Sequence, residues 1–295
     1  MLCFENISRY ALSDVTIYVP EGEIVGLIGA SGAGKTTFIK LACGLLAPQT
    51  GRVRTLGKDP VGYRSKYGAD FSAFIVGIPL LNKLDSVKTG FELLREVYDI
   101  PRDIFRRDYS ELAERLGFGR YENERIKGLS LGLMMRVELG AALIYRPKLL
   151  LLDEPNVGLD ENGKTALREL LTDRKKDGMT AVISSHDMAS VSAVCSRIAL
   201  LDNGRIAYYG SEENLRKQYS PIDVMALRFS GAIPNLDDLP LVRYSVEGNA
   251  LTLVYNANHI TAAEIPRLIV PQTEVSEISV RKSDLESIIV QINPS

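Results

Sequence analysis

The sequence has no surplus of basic residues. Its 35 Lys and Arg face 37 Asp and Glu, a formal net charge of −2. A chain that lives on nucleic-acid phosphate usually carries a basic excess, so nucleic acid is not expected as its main partner. Long hydrophobic runs are missing too. None approaches the ~20 residues that a membrane-spanning helix needs, and the conspicuous run 149–152 stops at Asp153. The start, MLCFENISRY, has neither the basic residues nor the apolar core of a signal peptide. Cysteine is scarce. Cys3, Cys43 and Cys195 are odd in number and far apart, which fits no disulfide framework or metal pattern and suits a reducing compartment. Repeats and low-complexity segments are absent. These absences describe a cytosolic chain that serves a membrane, if it does, through a partner. What remains is ordinary globular composition, 45% hydrophobic and 24% charged over 295 residues, with room for two domains.

Short strands are expected first, at residues 2–4 and 15–19, with a turn at Pro20-Glu21-Gly22. Ile24 to Ile28 is a continuous apolar run, as in a strand buried on both faces of a parallel sheet. A Gly-rich turn follows, then a helix over residues 35–45 with Gly44 near its end. From about residue 84 to 146 the apolar period is helical throughout. Phe91, Leu94, Val97 and Tyr98 form one stripe, Leu112 and Leu116 a second, and Leu133, Val137 and Leu143 a third. Residues 149–152, 181–185 and 198–201 read again as buried strands. The pattern is an α/β core interrupted by a helical insertion. After Gly210 the character shifts. Strands are expected at 225–229, 241–246, 250–255 and 275–280, with a hairpin turn at Glu247-Gly248-Asn249 and helices at 260–268 and 283–290. The expected division is a larger domain at 1–215 and a small α+β domain at 220–295.

The strongest chemical signal is Gly29-Ala30-Ser31-Gly32-Ala33-Gly34-Lys35-Thr36, followed by Thr37: a full GxxxxGK[ST] match that follows a buried strand and opens a helix. The glycines let the backbone curl so that successive N–H groups face phosphate oxygens. The helix N-terminus favours the same negative charge. In this arrangement Lys35 bridges the β- and γ-phosphates of a nucleotide and the Thr36 hydroxyl binds Mg²⁺. The second signal is the run 149–152 ending in Asp153-Glu154. Its end delivers two acids to the place where such sheets bind ligands. Asp153 suits Mg²⁺, directly or through water, and Glu154 suits the attacking water.

At this point the chain resembles the ATP-binding cassette (ABC) family. GASGAGKTT resembles its Walker A motif, LLLLDE its Walker B motif, and PNVGLD its D-loop, with Asp160. Ser184-Ser185-His186 ends an apolar run 32 residues past Glu154, where the family has a switch histidine that contacts the γ-phosphate. Leu129-Ser130-Leu131-Gly132-Leu133 resembles the family's signature. There Ser130 caps a helix, and Ser130 and Gly132 bind the γ-phosphate held by a second subunit. The resemblance spans roughly residues 2–215. It implies a P-loop NTPase core with a parallel sheet, antiparallel N-terminal strands and a helical insertion.

Three features depart from the family pattern. Leu131 and Leu133 stand where the common signature LSGGQ has Gly and Gln. No glutamine lies between Gln49 and Gln218, and alignment puts Gly77 at or near the position of the family's Mg²⁺-sensing glutamine. Tyr10 is the one nearby aromatic for stacking on adenine. Residues 91–101, the signature region and residues 184–206 are most similar to single-cassette exporters of the antibiotic-resistance and sodium-extrusion type, and Asp284-Leu285-Glu286 resembles the closing helix of their C-terminal extension. The resemblance therefore implies ATP and Mg²⁺ as ligands, a peripheral position on the inner face of the membrane, and a separate membrane permease of about six spanning helices. It also implies a second ABC ATPase subunit, with a homodimer favoured over a heterodimer. The groove around residues 78–98 is expected to hold a helix of the permease. Two other readings stay open: a soluble cassette that works on ribosomes or DNA, and a regulatory cassette with little turnover.

Overall fold

The computed structural model describes residues 1–295 except 64, 65, 67, 83, 84, 187–192, 220, 221, 237, 238 and 282–295. The chain divides into two compact units, Met1–Gly210 and Ser211–Ser295. In the first unit β1 (Leu2–Arg9), β2 (Leu12–Val19) and β4 (Thr50–Thr55) form an antiparallel sheet in the order β2-β1-β4. The second sheet is built from β3 (Ile24–Ile28), β5 (Phe71–Ile75), β6 (Leu149–Asp153), β7 (Thr180–Ser185), β8 (Arg197–Asp202) and β9 (Arg205–Gly210). Its order is β5-β6-β7-β3-β8-β9. All neighbours pair in parallel except β8 and β9.

Every residue of β3, β6 and β7 is buried. The reason is that layers cover both faces of the sheet. Leu149 and Leu151 pack on one side with Val25, Leu27 and Phe38. Leu150 and Leu152 pack on the other with Phe91, Val137 and Leu170. On the first side α1 (Lys35–Ala42) lies beneath the antiparallel sheet, and Phe38 stacks on Phe4 with ring centroids 4.1 Å apart. The helix is shorter than its pattern suggests. Gly44 turns the chain at φ +71°, and a Cβ there would lie 2.2 Å from the Pro60 carbonyl oxygen.

Beyond the short α2 (Pro60–Tyr63), the helical insertion is not one unbroken helical stretch. It consists of α3 (Val87–Val97), α4 (Arg102–Arg115) and α5 (Leu131–Leu143), with 3₁₀ turns at Gly119–Tyr121 and Ile126–Gly128. Pro101 caps α4, because proline lacks the N–H that a continuing helix would need. Val97, expected on an apolar stripe, is 65% exposed. The unit continues through α6 (Glu161–Lys176). Three strands come in addition to those expected from the sequence: β4, β5 and β9.

In the second unit β10 (Ile222–Ser230), β11 (Leu241–Glu247), β12 (Ala250–Asn256) and β13 (Glu274–Arg281) form an antiparallel sheet in the order β11-β12-β10-β13. Glu247 pairs with Ala250 across a two-residue turn in which Gly248 has φ +62°. Preceded by α7 (Glu212–Tyr219), the sheet buries Met225, Leu227, Leu251 and Tyr255 against Ile265 and Ile269 of α8 (Glu264–Ile269). That helix starts four residues later than its pattern suggests. Glu264 instead accepts hydrogen bonds from the Thr261 N–H (2.8 Å) and hydroxyl (2.7 Å), which close a turn before the helix. The helix expected at 283–290, with Asp284-Leu285-Glu286, lies outside the described residues.

Candidate active site

The loop after β3, the end of β6 and the end of β7 meet at the C-terminal edge of adjacent parallel strands, where open α/β sheets hold ligands. In the first loop, Ala30, Ser31 and Gly32 are exposed, Ala33 is buried and Thr37 is half-buried. Glycine is required at two points. Gly29 passes so close to β8 that a Cβ would sit 2.3 Å from the Leu201 carbonyl oxygen. Gly34 precedes α1 at φ +109°, a region that L side chains avoid. Both let the backbone curl around the start of α1.

Lys35, 7% exposed, folds back over this loop. Its ammonium donates to the Gly29 carbonyl (2.8 Å) and the Ala30 carbonyl (3.2 Å) and lies 3.5 Å from Glu154 Oε1. The Thr36 hydroxyl donates to Asp153 Oδ2 at 2.8 Å. The other carboxylate oxygen of Asp153 accepts from the Ser184 hydroxyl at 2.6 Å, and Ser184 Oγ accepts in turn from the Glu154 N–H at 3.0 Å. Glu154 adopts a left-handed backbone, φ +48°. Strain of this kind costs on the order of 1–3 kcal/mol and recurs at functional sites. The turn aims Glu154 Oε2 at His186 Nδ1, 2.8 Å away, while the histidine side chain remains 69% exposed. Lys35, Thr36, Asp153, Glu154 and His186 are thus brought together as their motifs lead one to expect.

Ser184 is the member that sequence reasoning missed as a participant. A hydroxyl at the end of an otherwise apolar buried strand was its only signal. Its part is to fix both acids: one by a side-chain bond, the other through the backbone. The arrangement offers a cation beside a Gly-rich loop, two hard oxygens side by side, and a carboxylate held by a histidine.

Ser130, Gly132 and Asp160 form a second cluster. Ser130 caps α5, and its hydroxyl accepts from the Leu133 N–H at 3.4 Å. A Cβ on Gly132 would lie 2.7 Å from the Gly158 carbonyl oxygen, so only glycine lets α5 approach this turn so closely. Asp160 caps α6, accepting from the Gly163 N–H at 2.9 Å, and pairs with Arg136 of α5. The Gly163 bond, with the Arg136 guanidinium beside it, holds the Asp160 carboxyl below the usual carboxylate range. Arg136 also donates to the Leu116 carbonyl at 3.2 Å, so one side chain ties α4, α5 and the 156–160 turn together. A pocket of about 240 Å³ opens here beside Ser130, Gly132, Leu133 and Asp160. Leu131 is 57% exposed beside it. Tyr10 belongs to neither cluster: it is 69% exposed, with the Arg9 guanidinium 4.3 Å over its ring.

Gly77 has a structural reason to be glycine. The Ile78 N–H donates to the Ile75 carbonyl at 2.9 Å, and Gly77 has φ +86°, as the third position of a type II turn demands. A glutamine would be strained at this point.

Comparison with known proteins gives the family. The ABC transporter family profile matches residues 12–157. The chain is 31% identical to the ABC transporter ATP-binding protein NatA of Bacillus subtilis over 205 residues, covering 70% of this chain and 83% of that one. It is 35% identical to the methionine import ATP-binding protein MetN of Clostridium acetobutylicum over 225 residues, covering 73% and 70%. Among solved structures, it resembles the dimeric structure of a bacterial ABC transporter cassette with a TM-score of 0.65 at 25% identity, covering 72% of this chain and 98% of that one. The chain therefore belongs to the ABC transporter family, as an ATP-binding subunit that hydrolyses ATP.

Proposed function

We propose that this subunit works as one half of a cassette dimer that powers export through a separate membrane permease. The observation that carries the reading is the convergence at one sheet edge of Lys35, Glu154 and His186, joined by ion pairs, with Thr36 and Asp153, hydrogen-bonded to each other and linked to Glu154 through Ser184. Lys35 and the loop from Gly29 hold the β- and γ-phosphates. Thr36 and Asp153, 2.8 Å apart, are hard oxygen donors that fit Mg²⁺. Among the described residues no group of three or more His, Cys, Asp or Glu could hold a metal. Mg²⁺ at this place would take most of its other ligands from phosphate and water. Held by Thr36 and Asp153, Mg²⁺ would supply positive charge that offsets the charge of the phosphates. Glu154 accepts a proton from the attacking water as the water oxygen bonds the γ-phosphorus and the bond to the β,γ-bridging oxygen breaks. His186 keeps the Glu154 carboxylate pointed at that water.

Ser130 and Gly132 lie in the separate pocket beside Asp160, an arrangement that suits nucleotide held by a second copy. The homodimer is favoured because this chain carries both the acid pair and a capped signature helix. An open groove of about 580 Å³, lined by Leu45, Ile78, Leu80, Val97 and Tyr98, has the apolar character to take a helix of the permease. No helix among the described residues is long and apolar enough to cross a membrane, so on this reading the spanning part is supplied in trans. Export, rather than import, rests on the likeness of residues 91–101 and 184–206 to single-cassette exporters.

The test is ATP turnover by the purified chain against its concentration. A dimeric site predicts Mg²⁺-dependent specific activity that climbs with protein concentration and then levels off. Specific activity independent of dilution, in a chain that stays monomeric, would refute the shared site.

A further inference from the structure

Glu138 is a carboxylate that the reaction above does not use, yet it is only 5% exposed among the buried apolar residues of α5. An ionisable group is costly at such a place unless strong hydrogen bonds offset its desolvation. Glu138 has them. Its Oε2 accepts from the Leu80 N–H at 2.7 Å and its Oε1 lies 3.4 Å from the Leu81 N–H. We propose that Glu138 is a positioning residue for ATP hydrolysis: it latches the 76–81 loop to the signature helix, so that the Walker site and the signature end of α5 move as one body.

The loop is well placed for this. Upstream it leaves β5, whose last residue, Ile75, stands in register with Asp153 on β6. The type II turn at Gly77 then directs the chain back over α5. Leu81 is 4% exposed and packs against α3, where a Cβ on Gly90 would lie 3.2 Å from its Cδ2. On its outer side the same loop presents Val76 (39% exposed) and Ile78 (45% exposed), and Ile78 lines the groove described above. Ser130 stands at the N-terminus of the helix that carries Glu138, eight residues or about 12 Å away along its axis. A rigid helix, two charge-assisted hydrogen bonds and one β-register therefore connect Ser130 to Asp153. Charge-assisted bonds of this type are the stronger kind and hold geometry. The family's glutamine reaches from this loop by a side chain; here the loop has a glycine turn and is held from behind by its backbone.

The inference rests on the ATP site proposed above, so the test first confirms that each variant binds ATP. Glu138→Ala removes both acceptors. It is expected to lower kcat roughly 10- to 100-fold, the scale of a small misplacement transmitted from outside the chemistry, with KM for ATP within about twofold. Glu138→Gln keeps one acceptor oxygen for the Leu80 N–H and is expected to restore kcat to within about threefold. Wild-type kcat in a folded Glu138→Ala chain, or equal losses in both variants, would overturn the latch. A residue that serves stability alone would lower the melting temperature and leave kcat per folded molecule unchanged. Should Glu138→Ala fail to fold, hydrogen exchange of the Leu80 and Leu81 amides decides. In the Glu154→Gln chain, with ATP and Mg²⁺ bound, their exchange is expected to slow. Exchange that ignores bound nucleotide would overturn the inference. Absence of ATP binding in the Glu154→Gln chain would instead count against the active-site reading.

Discussion

Asp108 offers a quantitative test of how the helical insertion is fastened to the strand that carries the acids. Its side chain is fully buried on α4. It accepts two hydrogen bonds from Arg146, at 2.6 and 2.8 Å, and one from Arg107 at 3.0 Å. Arg146 lies in the short connection between α5 and β6, so the pair anchors α4 beside the entry to the Asp153 strand. Asp108→Asn preserves the shape, removes the charge and turns an N–H₂ toward a guanidinium. Losing one partner of a wholly buried pair costs about 3–5 kcal/mol. Here the Arg146 and Arg107 side chains are 39% and 62% exposed and can be rehydrated, which lowers the cost. About 2 kcal/mol is expected, the range of a charge-assisted hydrogen bond. In a unit of this size that corresponds to a fall in melting temperature of about 4–8 °C.

The effect has a definite pH dependence. Burial pushes the Asp108 carboxyl up, but the hydrogen bonds from Arg146 and Arg107 outweigh it and hold the group below its ordinary value. A depressed folded value means that the carboxylate stabilises the fold above its unfolded value of about 3.9. That contribution is lost as pH falls through the folded value. Thermal unfolding followed by circular dichroism, for wild type and variant, should show the full gap at pH 7 and a shrinking gap below about pH 4. Melting temperatures within 1 °C at pH 7, or a gap that stays constant in acid, would refute the reasoning.

Other substitutions probe the site itself. Lys35→Ala should weaken ATP binding by about 100-fold or more, measured by calorimetry, since two or more charge-assisted contacts to phosphate are lost; unaltered affinity would remove Lys35 from the phosphate site. Leu133→Gln should raise turnover if the missing amide limits the signature pocket, whereas a drop in both turnover and melting temperature would show that Leu133 serves by packing. A chain ending at Gly210 should remain folded and bind ATP, because both residue clusters lie in the first unit. An insoluble product, or one without ATP affinity, would show that the second unit is needed for the first to fold.

Much of the site was legible in the sequence because its chemistry constrains residue type within short windows. The phosphate loop needs glycines at fixed spacing, and a buried parallel strand needs a run such as 149–152, so Asp153 and Glu154 announce themselves at its end. What the sequence did not disclose depends on long-range pairing. Ser184 fixes Asp153 from a strand 31 residues further along the chain. Glu138 has no visible role in the sequence until its partners on the preceding loop, Leu80 and Leu81, are seen. Strand β4 was missed because four of its six residues are exposed, β9 because none of its six is buried, and β5 because only three of its five are buried. The unbroken helical period over 84–146 concealed two breaks, since apolar loop residues such as Phe118 and Ile126 are as buried as the helices they connect.

The most direct test of the account is ATP turnover by the Glu154→Gln chain, with bound nucleotide measured in the same sample. The amide keeps the size of the side chain but cannot take a proton from water. Turnover should fall by about 10²- to 10⁴-fold, the usual contribution of a positioned general base, while ATP stays bound. Turnover at the wild-type rate would remove Glu154 from the chemistry and, with it, the arrangement of Lys35, Asp153 and His186 on which the mechanism depends.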